Sequence, residues 1–214
     1  MILMDFLAQN MVDLQSSLIR HLVLVGISVF TGMVVSIPLG IYLSRHRRLA
    51  APVLAIAGTI QTIPGLVMLG FALILFGIGQ FPALVVLSLY AILPILRNTY
   101  TGITEVEYSY IDAGRGIGMT DMQILFKVEL PLALPSIVGG IRISTVYIVS
   151  WATLAGLIGA GGLGDLIWTG LSTYNTSYIL AGAIPSAIMA FVFSGAIGYL
   201  QQLLTPRGLK GGRA

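Results

Sequence analysis

The sequence contains no cysteine among its 214 residues. It therefore has no disulfide, no zinc site built from thiolates and no thiol nucleophile. Charge is scarce as well, since Asp, Glu, Lys and Arg make up only 9% of the chain, against about 25% in an ordinary soluble domain. Apolar and aromatic residues make up 57%. This composition excludes a soluble enzyme, a disordered tail and a nucleic-acid binder, and it is typical of an integral membrane protein.

Long stretches of the chain carry no charged side chain at all. They cover residues 21–44, 49–96, 143–164 and 166–206. A membrane-spanning helix needs about 20 mostly apolar residues, so the second stretch holds two spans with a turn between them. We predict an all-α integral membrane protein with about five transmembrane helices, at 22–43, 51–76, 81–96, 131–154 and 178–204.

The few positive charges are distributed unevenly along this pattern of spans. With the N-terminus outside, ten of the eleven Lys and Arg residues lie inside or at the inner edge, and only Arg20 lies outside. Cytoplasmic loops of membrane proteins are enriched in Lys and Arg, so we predict an N-out, C-in orientation. Residues 1–17 then form an extracytoplasmic segment, 18–204 a transmembrane domain and 205–214 a cytoplasmic basic tail. The N-terminus lacks the basic region of a signal peptide, and we expect no cleavage.

The stretch 155–177 is rich in Gly, Ser, Thr and Asn, which argues against a sixth span but leaves open a short re-entrant or surface helix. It also contains a literal GxGxxG, at Gly159, Gly161 and Gly164, with Gly162 beside it. No βαβ unit surrounds these glycines and no acid follows about 20 residues later, so we reject a dinucleotide site. The remaining interpretations are an outer gate or docking surface, and a plain turn.

The chain lacks the residues that several transport mechanisms require. No Asp or Glu occurs at 14–104 or at 130–164, whereas ion-coupled carriers commonly place ionisable residues inside the membrane. Neither Lys127 nor Lys210 is followed by Ser or Thr, so the sequence has no Walker A phosphate loop. His21 and His46 lie at different ends of the first span, and we predict no metal site.

Residues 98–131 form a long polar loop in a protein whose other loops are short. We predict a helix at 105–113, a turn at three glycines, and a second helix that runs into Leu130 and Pro131. Thr120 and Gln123 have the spacing of a capping box at the start of this second helix. We interpret the loop as an amphipathic helical hairpin on the inner side, shaped to insert into a cleft of a partner.

This loop, which lies between the third and fourth spans, resembles the EAA loop of binding-protein-dependent ABC importer permeases. The family pattern is Glu-Ala-Ala, three residues, Gly, nine residues, Ile, one residue and Leu-Pro. It maps with the same spacing onto Asp112, Ala113, Gly114, Gly118, Val128, Leu130 and Pro131. The departures are Asp for Glu, Gly for the second Ala and Val for Ile. The resemblance implies that these residues form a cytoplasmic coupling helix that docks into an ATPase subunit.

A closer resemblance covers roughly residues 17–209. The segments 60–65, 92–103, 116–120, 144–171 and 205–209 are similar to permeases of importers for osmoprotectants such as glycine betaine, carnitine and choline. The resemblance implies a multi-pass subunit of the bacterial inner membrane that has no ATPase site and no cofactor of its own. Its implied partners are a second permease (a paralogue or the same chain), two ATPases that bind ATP and magnesium, and an external substrate-binding protein. The alternatives are a permease for another small solute such as an amino acid, and an ion-coupled secondary carrier.

Candidate residues for the substrate path lie in the second and fourth spans. Gln61 and Pro64 occur where the second span is broken, and transporter sites often use broken helices; the alternative is a simple proline kink. Tyr147 and Trp151 lie one turn apart in the fourth span, and aromatic faces bind quaternary ammonium ions. The alternatives for this aromatic pair are interfacial anchoring and packing.

Small residues recur at four-residue spacing in two of the spans. They are Gly32, Ser36 and Gly40 in the first span, and Gly182, Ser186, Ala190, Ser194 and Gly198 in the last. Such stripes let helix backbones approach closely in lipid. We predict that they pack within the bundle, with a seam between subunits as the alternative.

Overall fold

The computed structural model describes residues 9–205, and this range is built from helices without any strand. The helices are α1 (Met11–Arg45), α2 (Arg47–Thr62), α3 (Gly65–Phe76), α4 (Gln80–Thr104), α5 (Tyr108–Gly116), α6 (Asp121–Ile124), α7 (Leu130–Ala155), α8 (Leu163–Ser172) and α9 (Thr176–Leu204). Four stretches are long and apolar enough to cross a membrane, and the bent pair α2–α3 supplies a fifth if it counts as one span. The predicted all-α membrane fold with about five spans is confirmed, while its orientation across the membrane stays a prediction.

Helices α1, α4 and α7 pack closely because small residues line their contacts. A Cβ added at Gly32 would lie 2.8 Å from the Cβ of Ala91, so only glycine allows this approach of α1 to α4. The Ser36 hydroxyl donates to the carbonyl of Ile92 at 3.0 Å, and the Ser144 hydroxyl of α7 donates to the carbonyl of Ala91 at 3.1 Å. The stripe on α1 therefore packs inside the bundle, where close contact and interhelical hydrogen bonds stabilise membrane helices.

The second predicted span is broken at the place that the sequence indicated. Residues 63 and 64 are extended, and α2 and α3 meet at about 90°. Proline has no backbone N–H to donate and its ring crowds the preceding turn, so a helix ends readily before it. The two halves of the span consequently leave the break in different directions.

Two of the predicted spans, the first and the third, are too short. Helix α1 begins at Met11 rather than near residue 22, and α4 continues past Arg97 to Thr104. The fourth span is preceded by α6 and a π-helical turn (Leu125–Glu129), so helical structure runs without interruption from Asp121. Charged residues mark where a helix leaves the apolar part of a membrane, but they do not end the helix itself.

The stretch 155–177 contains the short helix that the sequence left open. A 3₁₀ turn (Gly156–Ile158) follows α7, and the chain then reverses through glycines into α8. Helix α9 packs against α8 through its small residues, since a Cβ at Gly182 would lie 2.7 Å from Cγ1 of Ile167. This end of α7 is opposite the end at which α5 and α6 lie, and the two ends carry different candidate sites.

Candidate coupling and transport sites

Helices α5 and α6 and the π turn form a helical hairpin (Tyr108–Glu129) within the polar loop. Gly118 at its tip has a φ of +81°, which glycine adopts without the steric cost that a Cβ imposes. The predicted capping box is present, since Thr120 N–H donates to Oε1 of Gln123 at 2.9 Å and Gln123 N–H donates to Oγ1 of Thr120 at 3.3 Å. The predicted first helix at 105–113 is displaced, because α4 ends at Thr104 and α5 runs on through Gly114 and Gly116.

The two arms of the hairpin meet at Gly114. This glycine is buried, and a Cβ there would lie 3.4 Å from Cγ1 of Ile124, whose side chain is also buried. The Met119 N–H donates to the carbonyl of Gly114 at 3.0 Å and closes the turn. Asp112 and Ala113 lie on the exposed side of α5. Within the predicted motif, Gly114 thus holds the hairpin together, and its two neighbours face outward.

Large apolar side chains project from this otherwise polar hairpin. The exposed fraction is 75% for Ile117, 63% for Met122 and 59% for Phe126, and Tyr108 and Tyr110 are exposed as well. Met122 and Phe126 are four positions apart and so lie near each other on the helix surface, and apolar patches exposed to solvent mark sites of protein interaction. The sequence analysis recognised the hairpin but not this face. An amphipathic pattern does not by itself show which residues the rest of the bundle covers.

An ion pair with a buried carboxylate connects the hairpin to the first helix. The guanidinium of Arg45, at the end of α1, donates to both carboxylate oxygens of Glu129, with Nη1 at 3.1 Å from Oε1. The Glu129 side chain is almost completely buried. Such bidentate pairs are among the stronger hydrogen bonds in proteins. Sequence reasoning missed this contact, since it counted Arg45 only as part of the basic cluster that sets orientation.

The last three motif residues lie where the hairpin joins the bundle. Val128 belongs to the π turn, and Leu130 and Pro131 lie where this turn passes into α7. All three are half-buried, and Leu130 packs against the apolar cluster of Ile103 and Ile137. These residues therefore connect the exposed hairpin rigidly to a spanning helix.

The break between α2 and α3 brings Gln61 and Trp151 into one cluster. The Gln61 amide donates to the carbonyl of Tyr90 at 3.1 Å, and the Tyr90 hydroxyl donates to the carbonyl of Ile63 at the break. The Trp151 ring covers Gly65, leaving no room for a Cβ there, and its centroid lies 5.1 Å from that of the Tyr90 ring. Tyr90 connects these groups, and the sequence analysis missed it because it lies in an apolar run that looks like ordinary core. Pro64 itself is exposed beside this cluster.

Tyr147, one turn before Trp151, lies in a different environment. It is half-exposed and lines a cavity of about 420 Å³ between α7 and α9, together with Gly139, Arg142, Ile143, Val146, Ser194 and Gln201. The sequence pair Tyr147 and Trp151 is thus divided between a packed aromatic cluster and an open cavity.

Backbone conformation and close packing explain why the positions between α7 and the start of α8 are occupied by glycine. Gly159, Gly161 and Gly162 have φ values of +73°, +82° and +84°, which side chains rarely tolerate. Gly164 packs so closely on the carbonyl of Thr153 that a Cβ would overlap it. We call residues 159–164 the glycine loop. It lies at the end of α7 opposite the hairpin.

The glycine loop covers a buried histidine. His21 is fully buried, its Nε2 lies 3.1 Å from the carbonyl of Val149, and a Cβ at Gly162 would lie 3.1 Å from its Nδ1. Asp165 lies next to this loop, and burial raises the pKa of its carboxyl, opposed by Arg20 and by a hydrogen bond from the backbone of Gly161. The sequence does not indicate this contact of His21, because the loop that covers it lies far away in the chain. Among residues 9–205, no group of three or more His, Asp or Glu side chains has the arrangement of a metal site.

Comparison with known proteins identifies the family. A protein family described as binding-protein-dependent transport system inner membrane component matches residues 32–209. The chain belongs to this family. It is therefore an inner-membrane permease of the binding-protein-dependent kind, with several spanning helices, and permeases of this family work with separate ATPase subunits.

Named relatives match the permease along almost its whole length. The glycine betaine/carnitine/choline transport system permease protein OpuCB of Bacillus subtilis (strain 168) is 44% identical over 209 residues, which cover 98% of this chain and 96% of the relative. The carnitine transport permease protein OpuCB of Listeria monocytogenes is 42% identical and covers 99% of this chain and 97% of its own length. Among solved structures, the methionine ABC transporter MetNI in inward-facing conformations matches with a TM-score of 0.82 and 27% identity, over 92% of this chain and 99% of that one. The predicted resemblance to osmoprotectant permeases is confirmed.

Proposed function

We propose that the permease carries quaternary ammonium osmoprotectants, with glycine betaine, carnitine and choline as candidate solutes, in an ATP-driven importer. The observation that carries this proposal is the 42–44% identity over nearly the whole chain to relatives named for these solutes. The permease forms the membrane path.

In this proposal the hairpin (Tyr108–Glu129) docks into the ATPase. Its exposed Ile117, Met122 and Phe126 form an apolar face, and Asp112 with Ala113 lies beside it on the outward side of α5. Apolar side chains of this size gain about 1.5–3 kcal/mol each when they are fully buried, which suits them to a cleft in a partner. ATP and magnesium are bound by two such ATPase subunits, and the permease contributes no cofactor site.

The remaining partners and the topology belong to the same proposal. The permease pairs with a second permease, a paralogue or its own copy, and receives solute from an extracytoplasmic binding protein. It lies in the cytoplasmic membrane of a bacterium with its N-terminus outside and its hairpin inside, as the concentration of Lys and Arg residues on one side of the predicted spans supports. The glycine loop then faces the exterior, where Gly159, Gly161, Gly162 and Gly164 serve the outer gate or the docking of the binding protein. Gln61, Pro64, Tyr147 and Trp151 lie along the path.

A second candidate solute class is the amino acids, which the likeness to the MetNI methionine transporter favours. Uptake of labelled solutes distinguishes the two classes. The permease is produced with its own ATPase, partner permease and binding protein in cells that lack other osmoprotectant uptake, and betaine, carnitine, choline and methionine are compared. We expect concentrative uptake of at least one quaternary ammonium solute, lost when the ATPase is inactivated. Uptake of methionine alone would favour the second class, and uptake that survives without the ATPase would favour an ion-coupled carrier.

A further inference from the structure

Arg142 is a positive charge placed well inside a spanning helix. It lies twelve residues after Leu130 in the 26-residue helix α7, which is about 18 Å along the axis. Arg142 therefore lies near the middle of this helix. The Arg142 side chain is exposed on the helix surface, and ionisable side chains on spanning helices usually face a partner, a water-filled cavity or a ligand. The orientation prediction counted Arg142 with the inner charges and assigned it no role of its own.

No carboxylate neutralises this guanidinium in the part of the chain that the structure describes. The ion pairs there are Arg45 with Glu129 and Arg115 with Asp121. Arg142 instead donates from Nε to the hydroxyl of Ser194 on α9 at 2.9 Å. A Cβ at Gly198 would lie 3.2 Å from Nη1, so the absence of a side chain at Gly198 makes room for the guanidinium beside α9. Ser194 thus fixes one edge of the Arg142 guanidinium, whose positive charge has no carboxylate beside it among the described residues.

The held guanidinium lines the 420 Å³ cavity between α7 and α9. Tyr147 lines the same cavity with its ring half-exposed, and Gln201, whose amide donates to the carbonyl of Pro135 at 2.7 Å, lines it toward the hairpin end. The cavity is of the size of ordinary small-molecule sites. It combines a fixed cation, a hydroxyl, an amide and one aromatic ring.

We propose that this cavity binds zwitterionic solutes during transport, with Arg142 bound to their carboxylate and Tyr147 against their quaternary ammonium group. A guanidinium binds a carboxylate through two parallel N–H donors, and an aromatic face attracts a quaternary ammonium. Glycine betaine and carnitine carry both groups, whereas choline carries only the second. Arg142 is thus a residue that determines specificity between carboxylated and carboxylate-free solutes. This inference rests on the proposed function, since it assigns one part of that transport path.

The transport test compares solutes within each variant. In R142Q, uptake of glycine betaine and carnitine should fall about tenfold or more relative to choline, because a hydrogen bond to a charged group is lost. R142K keeps the positive charge but not the paired N–H donors of the guanidinium, so its uptake ratio should lie between those of the unmodified permease and R142Q. The matched control is R48Q, which changes an exposed arginine outside the cavity. An equal fall for all three solutes in R142Q overturns the proposal and assigns Arg142 to packing or assembly. Choline-only uptake by the unmodified permease overturns it as well.

A labelling test examines the cavity without any solute. The chain has no cysteine, so V146C places a single thiol in the cavity of the assembled importer in vesicles. An anionic and a cationic methanethiosulfonate reagent are compared, and the ratio of their rates should drop about tenfold when R142Q is added, because the local positive field is lost. An unchanged ratio, or no labelling by either reagent, overturns the site and leaves Arg142 as a charge that extends toward the membrane surface. If the importer carries no quaternary ammonium solute, the proposed function fails, while this ratio still reports whether the cavity attracts anions.

Discussion

The ion pair between Arg45 and Glu129 permits a prediction in which two variants differ for a structural reason. The pair joins the end of α1 to the π turn that precedes α7, and its two partners are unequally buried. The side chain of Glu129 is 4% exposed, whereas that of Arg45 is 40% exposed. The charged side chain that remains after one partner is removed therefore differs in its exposure to water. R45M strands a carboxylate in a dry site, while E129Q leaves an arginine that water can still reach.

The magnitudes follow from this asymmetry. Stranding a buried charge costs about 3–5 kcal/mol, so R45M should lower the free energy of unfolding by that order. E129Q should lower it by about 1–2 kcal/mol, because the Gln amide oxygen still accepts a hydrogen bond and the exposed guanidinium is solvated. The double variant should be more stable than R45M alone, since no charge is then left buried without a partner. A double-mutant cycle isolates the coupling between the two residues.

Denaturant titration of the purified permease in micelles measures the free energy of unfolding of each variant. Transport per ATP hydrolysed, measured with the importer in vesicles, shows how the loss of the ion pair affects function. Given the proposed docking of the hairpin into the ATPase, we expect R45M to lose transport more than ATP hydrolysis, because the hairpin would keep its contact with the ATPase but lose its rigid link to α1. R47M, an exposed neighbour of Arg45, is the matched control for loss of a basic residue at this end. Equal destabilisation by R45M and E129Q, or a coupling energy near zero in the cycle, would refute this reasoning.

Three further predictions concern single positions. Gly65→Ala should abolish transport and lower the yield of folded protein, because its Cβ would overlap the Trp151 ring; normal uptake by this variant would contradict the observed packing. Gly118→Ala should destabilise the hairpin by about 1–2 kcal/mol, because Gly118 has a φ of +81°. Gly116→Ala should stabilise the hairpin by about 0.5–1 kcal/mol, because Gly116 lies in a helix with open space around it. Thermal unfolding of the two variants tests this difference in sign. Burial raises the pKa of Asp165 from 3.8, so the folded state binds this proton more tightly than the unfolded state does. The stability contributed by this group therefore falls as pH rises from 3.8 through the raised pKa. In Asp165→Asn, the unfolding midpoint should no longer show this part of the pH dependence.

The sequence predicted the fold largely because lipid imposes simple constraints on composition. Charge-free stretches of about 20 residues can hardly be anything but spans, and the break at Pro64 follows from proline chemistry. Helix ends were less predictable. Helix α4 runs past Arg97 to Thr104, because the membrane boundary and the helix boundary are set by different forces.

The hairpin was predictable to the extent that its signals are local. The capping box of Thr120 and Gln123 needs only three residues of spacing, and the structure contains it. The pair of Arg45 with Glu129 joins residues 84 positions apart, and the contact of His21 with Val149 joins residues 128 positions apart. No pattern in one sequence specifies such contacts, since they depend on how the helices are arranged in space.

Helix α7 connects every candidate site in the permease. It begins at the ion pair that anchors the hairpin, carries Arg142 and Tyr147 in the cavity, covers Gly65 at the broken span with Trp151, and ends beneath the glycine loop through Thr153. Together with α6 and the two short turns it forms one helical stretch of 38 residues. A displacement of the hairpin by the proposed ATPase partner would therefore be carried toward the cavity and the glycine loop along one continuous helical stretch. The carbonyl of Val149, which contacts His21, lies on this same helix, so α1 and the glycine loop that covers His21 contact α7 in its half away from the hairpin.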